Sequence, residues 1–316
     1  MTVTSVTVRV PAKINLQLAV GPPRPDGYHG LVTVFHAVSL FDEVTVSHAD
    51  TDGVTVTGEG AGLVPEDGDN LALRAVRALR RTLAERDTGA GVGGGVAVTL
   101  AKSIPVAGGM AGGSADAAAT LVACNELWDA GLTTEELCAV AATVGSDVAF
   151  PLLGGTAIGR GRGELLTPVA PAAPATYHWA LALADGHLST PKVFRELDTQ
   201  RRGRQIPDPE LSTDLIEALT AGDPAALGAA IANDLQEPAL ALFPALRKTL
   251  DAGREAGALG ALVSGSGPTC YFLAETAAKA TTLKDALRTA GVSRTLRLAT
   301  GPANGACVVA KTPLVF

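Results

Sequence analysis

Aromatic side chains are scarce in this chain: two tryptophans, three tyrosines and seven phenylalanines among 316 residues. Its hydrophobic cores must therefore be built from valine, leucine and alanine. Cysteine is equally sparse. Cys124, Cys138, Cys270 and Cys307 include no C-x-x-C pair, and each lies in an apolar stretch where a thiol acts as a small hydrophobe. That argues against a zinc site or a disulfide framework and fits a reducing cytoplasm. Basic residues are in the minority: 25 Lys and Arg face 32 Asp and Glu, a formal net charge of -7. A general nucleic-acid or anionic-membrane partner is disfavoured by that balance. The short basic run Arg201, Arg202, Arg204 lies beside Gly203 and Pro207 and reads as a solvated loop. No uninterrupted apolar run is long enough to span a bilayer. Residues 1–8 alternate polar and apolar like a strand, unlike the basic-then-apolar pattern of a signal peptide.

What is present is ample apolar material, 47% of the chain, over a length that favours two domains. The first third is strand-like. Val6, Val8 and Val10 alternate with polar residues, and Ile14, Leu16 and Leu18 do so after Pro11. Leu31 to Leu40 and Val44 to Val46 continue the pattern. Asp69-Asn70 precedes an amphipathic helix with Val76, Leu79 and Leu83 on one face. The glycine-rich stretch 89–95 reads as a flexible connection, followed by the strand Val96, Val98, Leu100. A small-residue helix is predicted from Ser114 to about Trp128. A second starts at Thr133, whose spacing to Glu136 is that of a capping box, and Gly145 ends it.

Gly154-Gly155 and the alternating Gly and Arg of 159–163 mark a crossing, which places the domain boundary near residue 158. The expected domains are 1–158 and 159–316. In the second, a strand around His178 to Leu183 leads to a helix opened by Ser189-Thr190-Pro191, with proline suited to the first turn. Helices then run to about Gly257. Strands at Leu259 to Val263 and Thr269 to Leu273 flank a Ser264-Gly265-Ser266-Gly267-Pro268 turn. A helix near Ala277 to Ala290 and two strands complete the chain. Strands and helices do not alternate one by one in the first half, which favours α+β over a doubly wound fold.

The strongest chemical signal is Pro105-Val106-Ala107-Gly108-Gly109-Met110-Ala111-Gly112-Gly113-Ser114-Ala115. Glycines let backbone N–H groups turn toward one point, and a helix N-terminus directly after them favours an anion. Strand, glycine loop and helix together read as a phosphate cradle, with an ordinary turn as the alternative. No Gly-Lys-Ser/Thr follows, so it is not a Walker A loop. Lys13 and Asn15 share one face of an alternating strand, either toward solvent or toward a site. Asp147 follows a helix end and precedes the apolar run 148–151, so it needs a partner or carries a raised pKa. It is either a helix cap or a general base, and pairing with Lys13 would supply the partner. Asp26-Gly27-Tyr28-His29 is a turn carrying two polar-tipped rings. It is either a surface hairpin or a place where Tyr28 stacks on a flat ring and His29 hydrogen-bonds it.

Three of these motifs, in this order, resemble those of the GHMP kinases (galactokinase, homoserine kinase, mevalonate kinase and relatives). They are Pro11-Ala12-Lys13-Ile14-Asn15-Leu16, the glycine loop, and Ser264-Gly265-Ser266-Gly267-Pro268-Thr269. The turn Asp26 to His29, together with Gly145-Ser146-Asp147-Val148 and Gly159-Arg160-Gly161, is similar to one branch of that family. Its substrate is 4-diphosphocytidyl-2-C-methyl-D-erythritol, an alcohol of non-mevalonate isoprenoid biosynthesis. The match spans nearly the whole chain.

The resemblance implies a two-domain α+β fold, with an N-terminal domain like ribosomal protein S5 domain 2, a ferredoxin-like C-terminal domain and the active site in the cleft between them. It implies ATP and Mg²⁺ as donor and metal, and phosphorylation of the 2-hydroxyl of that alcohol. Asp147 would be the catalytic base and Lys13 its charged partner. Asn15 and His29 would contact the substrate. Tyr28 and Phe194 would sandwich the cytosine, with Thr190 nearby. Residues 105–115 would bind the ATP phosphates, Asn70 would touch the nucleotide, and Ser114 is a candidate metal ligand. A cytoplasmic monomer or weak homodimer is expected. Two alternatives stay open: a family member of the homoserine or mevalonate kinase type, or a derived binding or regulatory protein without catalysis.

The glycine loop departs from the family's usual Gly-Leu-Gly-Gly-Gly-Ser-Ser-Asn. Met110 is a conservative change. Ala111 requires a φ below zero, Ala115 lacks a hydroxyl, and Asp116 brings a negative charge that must point away or face the metal.

Overall fold

The computed structural model describes residues 3–86 and 93–313. Most of the glycine-rich connection expected at 89–95 lies outside the described residues; Gly95 already opens a strand.

Two long strands, β1 (Val3–Pro23) and β2 (His29–Ala49), form the spine of the first sheet. Alternation sends Val6, Val8, Val10, Ala12, Ile14 and Leu16 into the core and puts Lys13, Asn15 and Gln17 on the opposite face. β1 runs straight through Pro11. The pairing shifts register between Pro11 and Ala12, and such an irregularity accommodates a residue without an N–H. β3 (Gly53–Gly58) follows, then α1 (Leu71–Arg86) and β4 (Gly95–Lys102). The helices α2 (Gly112–Leu127), α3 (Thr134–Val144) and α4 (Ala149–Leu153) come next. α3 opens with the expected capping box: Thr133 accepts from the Glu136 N–H and the Glu136 carboxylate accepts from the Thr133 N–H. α2 is buried on nearly every side, as its run of alanines permits, because small side chains let other elements come close.

The chain then lays down β5 (Thr156–Gly161) and β6 (Leu165–Pro168) before crossing to β7 (Tyr177–Leu183). β5 pairs with β2, so the boundary placed near residue 158 falls inside a strand of the first sheet. The crossing to the second sheet lies between Pro168 and Tyr177. The helical segment holds α5 (Thr190–Gln200), α6 (Thr213–Ala221) and α7 (Pro224–Ala230). A short β8 (Ala232–Asn233) separates these from α8 (Gln236–Leu242) and α9 (Ala245–Glu255). β9 (Gly260–Val263), β10 (Cys270–Ala274), α10 (Ala277–Ala290), β11 (Thr295–Gly301) and β12 (Cys307–Pro313) end the chain.

The first sheet has the order β12-β1-β2-β4-β3, with β5 joined to β2, β6 to β5 and β8 to β1. The second is antiparallel, in the order β11-β7-β10-β9. The final strand therefore returns to the first sheet, which a division at a single point cannot capture. Val, Leu and Ala dominate the two main cores, which also hold the rings of Trp128, Tyr177, Trp179, Tyr271 and Phe272, while Phe35 and Phe150 pack in a smaller third cluster. The run Arg201 to Arg204 is only partly a solvated loop. The Arg201 guanidinium donates to the Val20 carbonyl at 2.6 Å and to Asp234 at 2.7 Å, tying the end of α5 to β1.

Candidate active site

A cleft of about 880 Å³ is lined by β1, β2, the glycine loop, residues 145–147, α5 and the turn at 265–267. Its floor is the meeting point of three segments that are far apart in sequence. The Gly109 carbonyl accepts from Lys13 Nζ at 3.2 Å and from the Ser264 hydroxyl at 3.0 Å. The Lys13 N–H donates to the Met110 carbonyl, and the Thr269 N–H to the Gly108 carbonyl. A side chain at Gly109 would collide with the Ser264 carbonyl, and its φ of +76° is itself a glycine conformation. The β1 lysine, the glycine loop and the late Ser-Gly turn are thus locked to one another through backbone atoms.

Lys13 is buried, not solvated. Its ammonium donates to Asn15 Oδ1 at 2.6 Å and stands 3.9 Å from Asp147 Oδ2. Burial pulls its pKa below the ordinary lysine value, and the Asp147 charge opposes that. Asn15 is oriented in turn, donating to Thr33 Oγ1 at 2.8 Å, while Thr33 donates to the Gln17 carbonyl. Asp147 caps no helix: α4 begins after Val148 and has no side-chain cap. Its carboxylate is about one-third exposed and lines the cleft.

On the glycine loop, Ala107, Gly108, Gly109, Ala111, Gly112, Gly113 and Ser114 line the cleft. The helix starts at Gly112, two residues earlier than the periodicity predicts, and its first intrahelical bond runs from the Ala115 N–H to the Ala111 carbonyl. The N–H groups of Gly112, Gly113 and Ser114 precede that bond and are free to hold an anion. Pro105, Val106, Met110 and Ala115 do not line the cleft; Met110 and Ala115 are packed in the core. Ala111 does not keep φ below zero: at +58° it occupies the left-handed region, as does Ala107 at +54°. Both sit where the loop bends around the cradle, a place where backbone strain tends to collect.

Asn70 is likewise not brought to the cleft. Its side chain donates to the Pro65 carbonyl and accepts from the Ala72 N–H, so both ends are occupied holding the start of α1. Leu71, the next residue, is the one that lines the cleft.

Asp116 points into the protein. Its carboxylate and that of Asp42 share the Lys102 ammonium, and all three side chains are buried. Asp42 also accepts from the Ser103 and Ile104 N–H groups, fixing the chain as it leaves β4 for the glycine loop. Burial pushes the Asp116 carboxyl up to about 7; Lys102 opposes that shift and Asp42 adds to it. Reading the residues alone overlooks this cluster. The available signal was phase: Lys102 continues the buried face of Val96, Val98 and Leu100.

At the other end of the cleft, Tyr28, His29, Thr190 and Phe194 all line the wall. The His29 and Phe194 rings stack at 5.1 Å, while the exposed Tyr28 ring is covered by the Arg162 guanidinium at 5.3 Å. Thr190 shares a 2.8 Å hydrogen bond with Ser266. Arg162 and Asp198 are cleft residues that motif reasoning did not single out.

Among the described residues, no group of three or more His, Cys, Asp or Glu side chains is arranged to hold a metal. No helix among the described residues is long and apolar enough to cross a membrane.

Comparison with known proteins agrees with this architecture. The GHMP kinases N terminal domain matches residues 70–155, and the GHMP kinases C terminal domain matches 215–293. A 4-diphosphocytidyl-2-C-methyl-D-erythritol kinase from Thermobifida fusca is 56% identical, with 97% of this chain and 99% of that protein covered. A protein of the same name from Mycolicibacterium smegmatis is 54% identical, with 98% and 94% covered. Among solved structures, a 4-(cytidine 5'-diphospho)-2C-methyl-D-erythritol kinase is 35% identical with a TM-score of 0.71, covering 93% of this chain and 98% of that one. A homoserine kinase from Cytophaga hutchinsonii shares the fold at 21% identity and a TM-score of 0.72, with 96% and 97% covered. Two domain matches in sequence order, relatives at this identity and a glycine loop locked against Lys13 and Ser264 agree: the chain belongs to the GHMP kinase family.

Proposed function

We propose that this protein transfers the γ-phosphoryl group of ATP to the 2-hydroxyl of 4-diphosphocytidyl-2-C-methyl-D-erythritol, in isoprenoid precursor synthesis, with Asp147 as general base and Lys13 as its partner. The observation that carries the reading is the pairing of Lys13 and Asp147 at 3.9 Å, at the point where the glycine loop meets the wall bearing Tyr28, His29 and Phe194. The names of the relatives at 54–56% identity support the choice of alcohol.

Phosphoryl transfer demands positioning and neutralised oxygens more than covalent chemistry. The N–H groups of Gly112, Gly113 and Ser114 hold phosphate oxygens at the positive end of α2. Mg²⁺ arriving with ATP would neutralise charge on the transferring phosphate, with the Ser114 hydroxyl as its candidate protein ligand. Asp147 accepts the proton of the acceptor hydroxyl as the oxygen attacks. Lys13, held by Asn15 and the Gly109 carbonyl, keeps a positive charge beside that carboxylate and beside the cradle. The cytosine end lies along Tyr28, His29 and Phe194. Four free cysteines support the reading of a reducing compartment, the cytoplasm.

The test is ATP consumption by the purified protein with the cytidylyl alcohol, homoserine and mevalonate as acceptors. Turnover with the first alone is expected. Turnover with either of the others and not with the first would overturn the substrate. ATP binding without turnover on any of them would overturn catalysis.

A further inference from the structure

Three residues of α5 stand four apart, Thr190, Phe194 and Asp198, and so share one face of the helix, the face that lines the cleft. Two of them grip the same ring. His29, at the first position of β2, stacks on Phe194 with centroids 5.1 Å apart and planes 30° apart. Its Nε2 lies 2.9 Å from Asp198 Oδ1. The imidazole is buried and the carboxylate is about 43% exposed, so this is a side-chain clamp at the rim of the cleft and not part of the core.

The chemistry of the pair sets what His29 presents. An ionised carboxylate only accepts, so the proton in that contact is carried by Nε2. A neutral ring with its proton on Nε2 has a bare lone pair on Nδ1. Nδ1 has no partner among the described hydrogen bonds, and His29 lines the cleft. The wall therefore offers an acceptor at this point. It suits an exocyclic amino group and repels a carbonyl oxygen. Cytosine carries an amino group at C4 where uracil carries a carbonyl, and its N3 is a bare acceptor where the N3 of uracil carries a proton.

We propose that Asp198 is a positioning residue that fixes His29 in the Nε2-protonated form, so that Nδ1 selects an amino-bearing pyrimidine over its keto counterpart. This rests on the cytidylyl alcohol being the substrate. Asp198 touches neither reacting group. It acts through His29, and Phe194 holds the ring plane while Asp198 sets its rotation and its proton. A hydrogen-bond mismatch of this kind changes selectivity about 5- to 150-fold.

Two measurements test it on the full-length protein. The first compares kcat/KM for the cytidylyl alcohol and for its uridylyl analogue, in wild type, Asp198→Asn and Asp198→Ala. Asp198→Ala is expected to raise KM for the cytidylyl alcohol about tenfold. The cytidylyl-to-uridylyl ratio is expected to fall by a similar factor, with the loss concentrated in KM for the alcohol and not in KM for ATP. Asp198→Asn is expected to fall between, because its amide can accept from Nε2 or donate to it. The second is nitrogen NMR of the His29 ring, which reads the tautomer directly and needs no turnover. Wild type is expected to carry the proton on Nε2, and Asp198→Ala to show a mixture of forms. A wild-type ring protonated on Nδ1, or an unchanged pyrimidine ratio in Asp198→Ala, would overturn the inference. If wild type turns over another acceptor and not the cytidylyl alcohol, the functional reading itself fails and the selectivity claim falls with it, whatever the tautomer.

Discussion

Lys102 Nζ donates to Asp116 Oδ2 at 2.5 Å beneath the glycine loop, and both side chains are sealed from solvent. The same ammonium holds Asp42, whose other oxygen accepts two backbone N–H groups at the start of the loop. The charge that Asp116 brings to the family's usual asparagine position is therefore spent on the interior, not on the phosphates. Lys102→Met strands two buried carboxylates and is expected to cost about 3–5 kcal/mol in urea unfolding. Adding Asp116→Asn to that variant is expected to recover part of the loss. Additive effects of the two changes would break the assigned coupling.

Asp147→Asn is expected to lower kcat by about 10²–10⁴ while leaving the affinity for ATP, measured by calorimetry, close to wild type. The replacement keeps the shape and removes the proton acceptor. Near-normal turnover would remove Asp147 from its role. The carboxylate is partly exposed at the cleft, so the fold should tolerate the change.

Ala111→Gly is expected to stabilise the protein by about 0.5–1 kcal/mol, seen as a rise in Tm. Alanine at φ +58° pays a steric cost of about 1–2 kcal/mol, and glycine gives back part of that gain through its more flexible unfolded chain. Gly109→Ala runs the other way. It should weaken both stability and ATP binding, because a methyl group there meets the Ser264 carbonyl. A neutral Gly109→Ala would show that the loop is not locked as described.

His36 gives stability a dependence on acid. Burial pulls its pKa from 6.5 down to about 3, so the folded protein holds the ring neutral where the unfolded chain protonates it. A depressed folded value means that the contribution is complete above about 6.5 and is lost as pH falls toward 3. The loss at the lower end is on the order of 4 kcal/mol. His36→Gln is expected to flatten that slope in unfolding curves taken between pH 7 and pH 3. An unchanged slope would assign the acid sensitivity elsewhere.

Much of this molecule is written locally. The alternation around Lys13 put it and Asn15 on one face before any pairing was known, because side chains along a strand point to opposite sides in turn. The capping box at Thr133, the helix from Ala277 to Ala290 and the proline in the first turn of α5 are likewise within-element features. The run of glycines ahead of a helix marked the cradle, and the order of three motifs marked the family.

What the local pattern does not contain is which buried charge meets which. Lys102 and Asp42 are 60 residues apart, and His29 and Asp198 are 169 apart. Their pairing depends on strand register and on how α5 docks across the cleft, neither of which a single element encodes. The same is true of Asn70, which the family resemblance placed near the nucleotide and packing assigned to the start of α1. It is true of the domain division, since only hydrogen bonding between strands returns β12 to the first sheet. Candidate site residues such as Lys13, Asp147 and the glycine loop stood out in the sequence because their types and spacing are local. The pairing of Lys13 with Asp147 was anticipated from residue type, whereas the partners of Lys102, Asp116 and His29 came only with the tertiary structure, because burial and electrostatic pairing arise between elements.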